Sequence, residues 1–182
     1  GSGAARCVEA LPATSRALLE AARADPWRRV LTVTAAAVTN ASNNNNETVL
    51  FPKGVFGLES LGLGLGPPGR LPVRMVTVDG LVDEQLGGNP PEVLLVDSEG
   101  HDPMVLRGAE RSLASGQVHY LEFEHHARGS WRIVTLREVV ETLDGHGFTC
   151  FWATQSSRLF RVTGCWHPRY ARRRWANLAC VN

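Results

Sequence analysis

Short apolar runs alternate with segments of helical periodicity along most of this chain. The runs predict strands at residues 6–11, 29–38, 73–78, 93–96, 118–124, 148–153 and 159–163. The periodic segments predict helices at residues 13–25, 80–86, 102–115 and 135–144. Strands that alternate with helices are typical of an α/β protein with a mostly parallel sheet and helices on its faces. The link between the last two strands is too short for a crossover, so these two strands should form an antiparallel hairpin.

Two of the predicted helices carry signals at their N-termini. Asp102 can cap the first of them, with Pro103 in its first turn. Thr135 and Glu138 match the capping box of the second. Apolar residues at helical spacing predict the faces that these helices turn toward the core. They are Val105, Leu106, Ala109 and Leu113 in the first helix and Leu136, Val139, Val140 and Leu143 in the second.

Charged side chains begin where the apolar run 93–96 ends. A strand of this composition should be buried on both faces of a sheet, and the carboxyl ends of neighbouring parallel strands meet at the edge where ligands bind. The sequence therefore predicts a crevice with a general base, a pair of groups that position a hydroxyl, or a divalent-metal site. The side chains concerned are Asp97, Glu99 and His101 on the loop after this run, Glu124, His125 and His126 at the end of the following strand, and Glu9 at the end of the first strand.

Several of these residues also have an ordinary structural explanation. Asp102 is expected to serve only as a helix cap, Glu99 can be an exposed loop carboxylate, and one histidine can be a structural hydrogen bonder. For Asp97, Glu99 and the cluster 124–126, the position at two strand ends favours a functional role. Glu9 alone is weak evidence, although an acidic residue at that place can bind both hydroxyls of a ribose.

Composition and charge narrow the classes of function. With 182 residues and 43% hydrophobic content, the chain is expected to form a single well-buried domain over residues 1–182. The net charge of +1 gives no electrostatic reason to expect nucleic acid or an anionic membrane as a partner. The basic run RYARRR at residues 169–174 is expected to be a solvated face. No segment reaches the ~18 apolar residues of a membrane span, and the N-terminus has no signal-peptide pattern.

The cysteines and the glycosylation motifs leave the compartment open. The four cysteines show no zinc-ligand spacing. Cys165 and Cys180 can pair if the chain is secretory, but buried free thiols are favoured. Two N-x-S/T motifs, at Asn40 and Asn46, fit a luminal compartment, and without their use a cytoplasmic location is expected. The tract that they begin, residues 40–69, is predicted to be an irregular excursion over one end of the sheet.

Blocks of this sequence resemble the FkbM-type S-adenosylmethionine-dependent methyltransferases. VDSEGHDPMVLRGAERSL at residues 96–113 is similar to the family signature IDVEGxE...VLxGA. CVEALPATSRALLEA at residues 7–21 resembles its vEPlP segment, and VTAAAVTN at 33–40 resembles its strand and Ala-rich turn. VRMVTVDGLVDE at 73–84 resembles its vtLDxll segment, and LEFEHH at 121–126 resembles its next strand. The blocks occur in family order at family-like spacing.

The resemblance implies a class I methyltransferase fold, which is a Rossmann-like three-layer sandwich. It also implies S-adenosylmethionine as cofactor and a hydroxyl of a sugar or another small natural product as the methyl acceptor. The implied cofactor-binding residues are Glu9 at the ribose, Ala10 and Leu11 beside it, Ala37 and Val38 at the adenine, and Asp97 at the methionine. The implied catalytic residues are Asp97 and Glu99 at the methyl-transfer end, and His101, Glu124, His125 and His126 toward the acceptor, where one accepts the hydroxyl proton.

The chain departs from the family pattern in two places. The family's first strand and its glycine-rich loop DVGAnxG, which cradles the methionine part of the cofactor, have no counterpart before Glu9. That strand lies between those of Glu9 and Asp97 in the family, so the sheet should be interrupted there by about 10 Å, or two strand spacings. We therefore expect a domain that is incomplete at its N-terminus, with residues 164–182 as a C-terminal extension of no assigned role. The second departure is small, because Asp102 replaces a common Glu and Val96-Asp97-Ser98 replaces IDV.

Two other functions stay open. Asp97-x-Glu99 resembles the acidic pair that holds Mn²⁺ or Mg²⁺ under nucleotide-sugar phosphates, which would make the chain a metal-dependent transferase or hydrolase. The absent glycine loop instead suits a methyltransferase-like fold that serves as a non-catalytic interaction domain.

Overall fold

The computed structural model describes residues 3–24, 26–40, 48–51, 71–153 and 158–182, with the backbone alone at 48–51 and 71–72. Most of the excursion predicted at residues 40–69, the motif at Asn46 and the link at 154–157 lie outside the described residues. The strands are β1 (Ala5–Glu9), β2 (Leu31–Ala35), β3 (Ala37–Val38), β4 (Thr48–Phe51), β5 (Leu71–Val76), β6 (Val93–Val96), β7 (Tyr120–His125), β8 (Thr149–Ala153), β9 (Leu159–Arg161) and β10 (Ala176–Val181). The α-helices are α1 (Pro12–Arg23), α2 (Val78–Leu86), α3 (Asp102–Arg107), α4 (Glu110–Ala114) and α5 (Leu136–Gly145), with short 3-10 helices at Trp27–Arg29, Gly129–Arg132 and Pro168–Ala171. The predicted α/β class is confirmed.

The strands of the N-terminal half form two small sheets. β1 and β2 pair in parallel, from Ala5 opposite Leu31 to Glu9 opposite Ala35. β5 pairs in parallel with β3 and antiparallel with β4. β1 and β6 lie in different sheets, so the hydrogen-bonded ladder is divided between the strands of Glu9 and Asp97, as expected.

The C-terminal half forms a five-stranded sheet in the order β6-β7-β10-β8-β9. Only β6 and β7 are parallel there, while β10 runs antiparallel to both β7 and β8. β8 and β9 form the predicted antiparallel hairpin. Among the described strands four pairings are antiparallel and three are parallel, so the prediction of a mostly parallel sheet is wrong. The main reason is β10, which lies inside the segment that was expected to be an extension without a role.

The strand β6 is not buried on both faces. It lies at the edge of its sheet, and the side chains of Val93 and Leu95 are 54% and 67% exposed. Val96 is 8% exposed and packs into the core. The apolar composition of residues 93–96 predicted a strand of the correct length. Its prediction of burial on both faces is wrong, because β7 is the only strand among the described residues that pairs with β6.

The predicted helix at residues 102–115 is divided into α3 and α4. The break falls at Gly108 and Ala109, where the chain passes the carbonyl oxygen of Thr39. A Cβ on Gly108 would collide with that oxygen, so the contact requires glycine, the residue that least favours a continuous helix apart from proline. The inward face is as predicted, since Val105, Leu106, Ala109 and Leu113 are all buried.

The helix α5 follows its sequence signals closely. The Thr135 hydroxyl accepts a hydrogen bond from the Glu138 N–H, and the Glu138 carboxylate accepts one from the Thr135 N–H, so the capping box is confirmed. The four predicted core residues of this helix are buried. No helix of the described residues is long and apolar enough to cross a membrane.

The cysteines pair differently from the expectation. Cys150 of β8 and Cys180 of β10 face each other across the sheet and form a disulfide, and both side chains are fully buried. Cys165, the partner considered for Cys180, is free and exposed, and Cys7 is free. Because Cys150 and Cys180 come into register only through the β8–β10 pairing, their contact could not be derived from sequence spacing.

Candidate functional site

The Glu9 segment combines one carboxylate with an apolar surface. Glu9 ends β1, and its Oε1 accepts a hydrogen bond of 2.7 Å from the N–H of Leu11 at the start of α1. Ala10 and Leu11 pack against the buried Ala37. A cavity of about 260 Å³ lies beside this segment. It is lined by Ala10, Pro12, Ser15, Arg16, Leu19, Ala35, Val73 and Arg74.

The loop after β6 is fixed by the side chain of Asp102, which is fully buried. Its Oδ2 accepts hydrogen bonds from the Ser98 hydroxyl at 2.9 Å and the Gly100 N–H at 3.2 Å. Its Oδ1 accepts one from the N–H of Glu124 at 3.0 Å. His101, not Asp102, is the N-cap of α3, so the expected capping role of Asp102 is wrong. The carboxylate instead joins the β6 loop to the end of β7.

The same loop packs tightly on residues 128–130. The Ser130 N–H donates a hydrogen bond of 2.8 Å to the Gly100 carbonyl. Gly100 has a φ of 93°, and a Cβ there would lie 2.8 Å from the Arg128 carbonyl oxygen. Glu99 precedes it with a φ of 52°, and Asp97 at the end of β6 is exposed. The loop therefore presents its carboxylates from a backbone that is held on both sides.

The side chain of His101 connects the two halves of the structure. It is 6% exposed, and its Nε2 lies 3.1 Å from the Thr39 hydroxyl, just after β3. Its Nδ1 lies 3.2 Å from the Ser130 hydroxyl. Burial lowers the pKa of His101 to about 4, so the ring is neutral at pH 7. Both ring nitrogens are thus occupied by hydroxyl groups of the protein.

Along β7, alternate side chains point to opposite faces. Leu121, Phe123 and His125 are buried, whereas Glu122 and Glu124 lie on the other face and are partly exposed. The His125 ring packs edge-on against Trp131 at 4.7 Å between centroids, and burial lowers its pKa to about 4. His125 is therefore part of the core, on the face away from Glu124.

The Glu124 carboxylate lies among other acidic groups, and its side chain is 14% exposed. The indole N–H of Trp175 donates a hydrogen bond to its Oε1. Burial raises the pKa of Glu124, and the negative charges of Asp97, Asp102 and Glu99 raise it further, while the bond from Trp175 opposes the shift. The structure thus brings the predicted Asp97, Glu99 and Glu124 within electrostatic reach of one another.

The imidazole of His126 is buried, with 1% of the residue exposed. It lies parallel to the Trp175 indole, with 4.5 Å between centroids, and its Nδ1 accepts a hydrogen bond from the Arg128 N–H. Its Nε2 is 3.4 Å from Oε2 of Glu124. Burial lowers the pKa of His126, and the charge of Arg128 lowers it further. The ring therefore favours its neutral form beside Glu124.

Among the described residues, these side chains form two groups that a hydrogen bond joins. Glu9, Ala10, Leu11 and Ala37 make the first group, and the acidic residues with His126 and Trp175 make the second. The hydrogen bond between Thr39 and His101 joins the end of β3 to the second group. Among the described residues, no three Cys, His, Asp or Glu side chains are arranged as ligands of a metal ion.

Comparison with known protein families decides the family. A family model described as Methyltransferase FkbM domain matches residues 7–150. This chain belongs to the FkbM methyltransferase family. Searches of curated proteins and of solved structures return no match. The match includes Glu9 and the residues from Asp97 to His126, while Trp175 lies beyond it, and the predicted family is confirmed.

Sequence reasoning missed several residues of the candidate site in this member of the FkbM methyltransferase family. Trp175 lies far from Arg128 in sequence, yet the two side chains contact each other, and the Trp175 N–H binds Glu124. The hydroxyl groups of Thr39 and Ser130 lie at the two ring nitrogens of His101. The only sequence signal for Trp175 was its place beside the basic run. Its contact with Glu124 depends on β10, whose first residue, Ala176, pairs with His125.

Proposed function

We propose that this protein is an S-adenosylmethionine-dependent O-methyltransferase of class I fold that methylates a hydroxyl group of a sugar or another small natural product. The observation that carries the proposal is the family match over residues 7–150, together with carboxylates at the carboxyl ends of β1, β6 and β7. These are the strand ends at which open α/β sheets bind ligands.

The chemistry of the Glu9 group suits a nucleoside. A half-buried carboxylate at a strand end can accept hydrogen bonds from both hydroxyls of a ribose, and the apolar surface of Ala10, Leu11 and Ala37 suits an adenine ring. The cavity of about 260 Å³ beside it is close to the lower end of the ~300–1,000 Å³ range of ligand pockets. Val38 continues this surface toward Thr39 and the second group.

The acidic residues of the second group suit the other end of the cofactor. S-adenosylmethionine supplies a methyl group on a positively charged sulfur, and its methionine part carries an ammonium group. Asp97 is exposed at the end of β6, and Glu99 follows it on a rigid loop. Negative side chains at these positions attract both positive charges and orient the cofactor toward β7.

Glu124 is the best placed of the predicted residues to accept the hydroxyl proton. Its carboxylate lies at the end of β7, is fixed by the Trp175 N–H, and has a raised pKa because of burial and its acidic neighbours. A raised pKa makes a carboxylate a stronger base, which suits proton transfer from an alcohol near neutral pH. Because Nδ1 of the neutral His126 accepts the Arg128 N–H, the ring proton lies on Nε2, which is 3.4 Å from Oε2 of Glu124 and helps to hold that carboxylate in place. We assign positioning roles to His101 and His125, because hydroxyl groups and core packing occupy them.

Titration of the protein with S-adenosylmethionine by calorimetry tests this function. The wild-type protein should bind the cofactor, and Glu9→Ala should bind it about tenfold or more weakly because hydrogen bonds to a charged group are lost. Glu20→Ala is the matched control, since Glu20 is an exposed carboxylate on α1, and it should bind like the wild type. If the wild type does not bind the cofactor, or if Glu9→Ala binds equally well, the proposed site is wrong.

A further inference from the structure

Charge is distributed very unevenly along this chain. The sequence from residue 125 to residue 182 contains nine arginines and only three acidic residues, which gives a net charge of +6. The first 124 residues carry a net charge of −5. The three acidic residues of the C-terminal part all lie on α5, so the rest of this part is positive throughout. The near-neutral total therefore conceals a basic C-terminal part.

Two exposed arginines of this part form no ion pair with a described carboxylate. The arginine ion pairs of the described residues lie elsewhere, at Arg74, Arg111 and Arg137. Arg128 and Arg173, by contrast, are exposed and have no described acidic group within ion-pair distance. A guanidinium group without an acidic partner can bind an anionic ligand through charge-assisted hydrogen bonds. This arrangement is therefore better suited to a ligand than to stability.

The fold holds these arginines at the edge of the candidate site. The guanidinium of Arg128 lies 4.8 Å from the centre of the Trp175 ring, in a cation–π contact. The same indole donates its N–H to Glu124 and stacks on His126. Arg173 lies two residues before Trp175, and its Nη2 is 3.5 Å from the carbonyl oxygen of Arg132. These contacts place Arg128 beside the indole that binds Glu124, and Arg173 beside the last residue of the 3-10 helix that follows Arg128.

We infer that Arg128, Arg132 and Arg173 form an anion subsite that binds a sulfate, phosphate or carboxylate group carried by the methyl acceptor. The inference rests on the proposed function and specifies its substrate class: the acceptor is an acidic molecule whose reacting hydroxyl lies near Glu124. Planar guanidinium groups bind such oxyanions through two parallel hydrogen bonds.

A soluble acceptor fits this surface better than a membrane or a nucleic acid. The subsite consists of three arginines beside a half-buried carboxylate, whereas membranes and nucleic acids are usually bound by extended basic surfaces. The acidic residues next to it, Glu122 and Glu124, would repel a long polyanion that extended across β7. The occupant is therefore a compact acidic molecule.

Calorimetric titration with a sulfated tetrasaccharide prepared from heparin tests the inference on the full chain. The wild type should bind it, and should not bind the uncharged maltotetraose. The double variant Arg128→Ala/Arg173→Ala should bind it about tenfold or more weakly, because charge-assisted hydrogen bonds are lost. The double variant Arg111→Ala/Arg137→Ala is the matched control: it loses the same charge from arginines paired with acidic residues, and it should bind within about twofold of the wild type.

The outcomes separate this inference from the proposed function. Binding of S-adenosylmethionine by the wild type is measured on the same samples. The inferred subsite is wrong, and the proposed function stands, if the wild type binds the cofactor but not the tetrasaccharide. The same conclusion follows if both double variants lower the affinity for the tetrasaccharide equally. If anionic phosphatidylserine vesicles or an oligothymidylate bind and the tetrasaccharide does not, the conclusion that the occupant is a compact acidic molecule is also wrong. If the tetrasaccharide binds through Arg128 and Arg173 while the cofactor does not bind, the methyltransferase function fails and the anion subsite is supported.

Discussion

Replacing Asp102 by Ala is expected to lower the free energy of unfolding by about 3 kcal/mol. The wild-type carboxylate accepts hydrogen bonds from the N–H of Gly100 and of Glu124 and from the hydroxyl of Ser98. In the alanine variant two buried backbone N–H groups lose their acceptor, and each unsatisfied group costs about 1–3 kcal/mol. Removal of a buried carboxylate offsets part of this loss. Denaturant-induced unfolding followed by circular dichroism measures the change.

Asp102→Asn separates the hydrogen bonds from the packing. The amide has the same shape but only one acceptor oxygen, so its NH₂ group must face either the Gly100 N–H or the Glu124 N–H. We therefore expect a loss of stability that lies between those of the wild type and of Asp102→Ala. A mutation to Ala at the exposed Asp83 serves as the control for loss of a carboxylate and should change stability by less than about 1 kcal/mol. Equal stability of Asp102→Ala and the wild type would contradict the role of Asp102 as the link between the β6 loop and β7.

The contribution of the Asp102 carboxyl group to the free energy of unfolding should depend on pH. Burial raises the pKa of Asp102, and its hydrogen bonds only partly oppose this shift. The folded protein therefore binds more protons at this site than the unfolded chain does, and the contribution of Asp102 to stability falls as the pH rises above the ordinary Asp range. The difference in unfolding free energy between the wild type and Asp102→Ala should thus be larger near pH 3.5 than at pH 7.

Local sequence signals predicted those parts of the fold that depend on neighbouring residues. The capping box of Thr135 and Glu138, the apolar face of α5 and the β8–β9 hairpin follow from patterns within a few residues, and the structure confirms them. The family was also accessible from short blocks, because those blocks keep their order along the chain. Such features require no knowledge of which strands lie side by side.

Features that depend on distant pairings were not predictable in this way. β10 follows a basic, aromatic segment without strand periodicity, and its place between β7 and β8 decides the disulfide partner of Cys180 and the position of Trp175. The role of Asp102 has the same origin, since a residue at a helix start resembles a cap until the end of β7 is known to lie beside it. His125 and His126 are adjacent in sequence, yet the alternation along β7 sends His125 into the core.

Replacing Glu124 by Gln is expected to reduce the rate of methyl transfer at least about a hundredfold, the usual contribution of a general base. Glutamine keeps the length of the side chain and an oxygen that can accept the Trp175 N–H, so the structure of the site should persist. The amide cannot take up a proton from the acceptor hydroxyl. Because the carboxylates assigned to the cofactor are those of Glu9, Asp97 and Glu99, the affinity for S-adenosylmethionine should change little, and the loss should fall on turnover.

Glu122→Gln is the matched control for this experiment. Glu122 lies on the same face of β7, two residues earlier, and its oxygens bind the hydroxyl of Tyr120 and the side chain of Asn177. A general loss of negative charge or of β7 stability would affect both variants, whereas loss of the base affects only Glu124→Gln. Single-turnover rates measured with an acidic acceptor should rise with pH in the wild type, with a midpoint above the ordinary Glu pKa because burial and acidic neighbours raise it. This ascending limb should be absent in Glu124→Gln, and a variant that retains both the rate and the limb would show that another group accepts the proton.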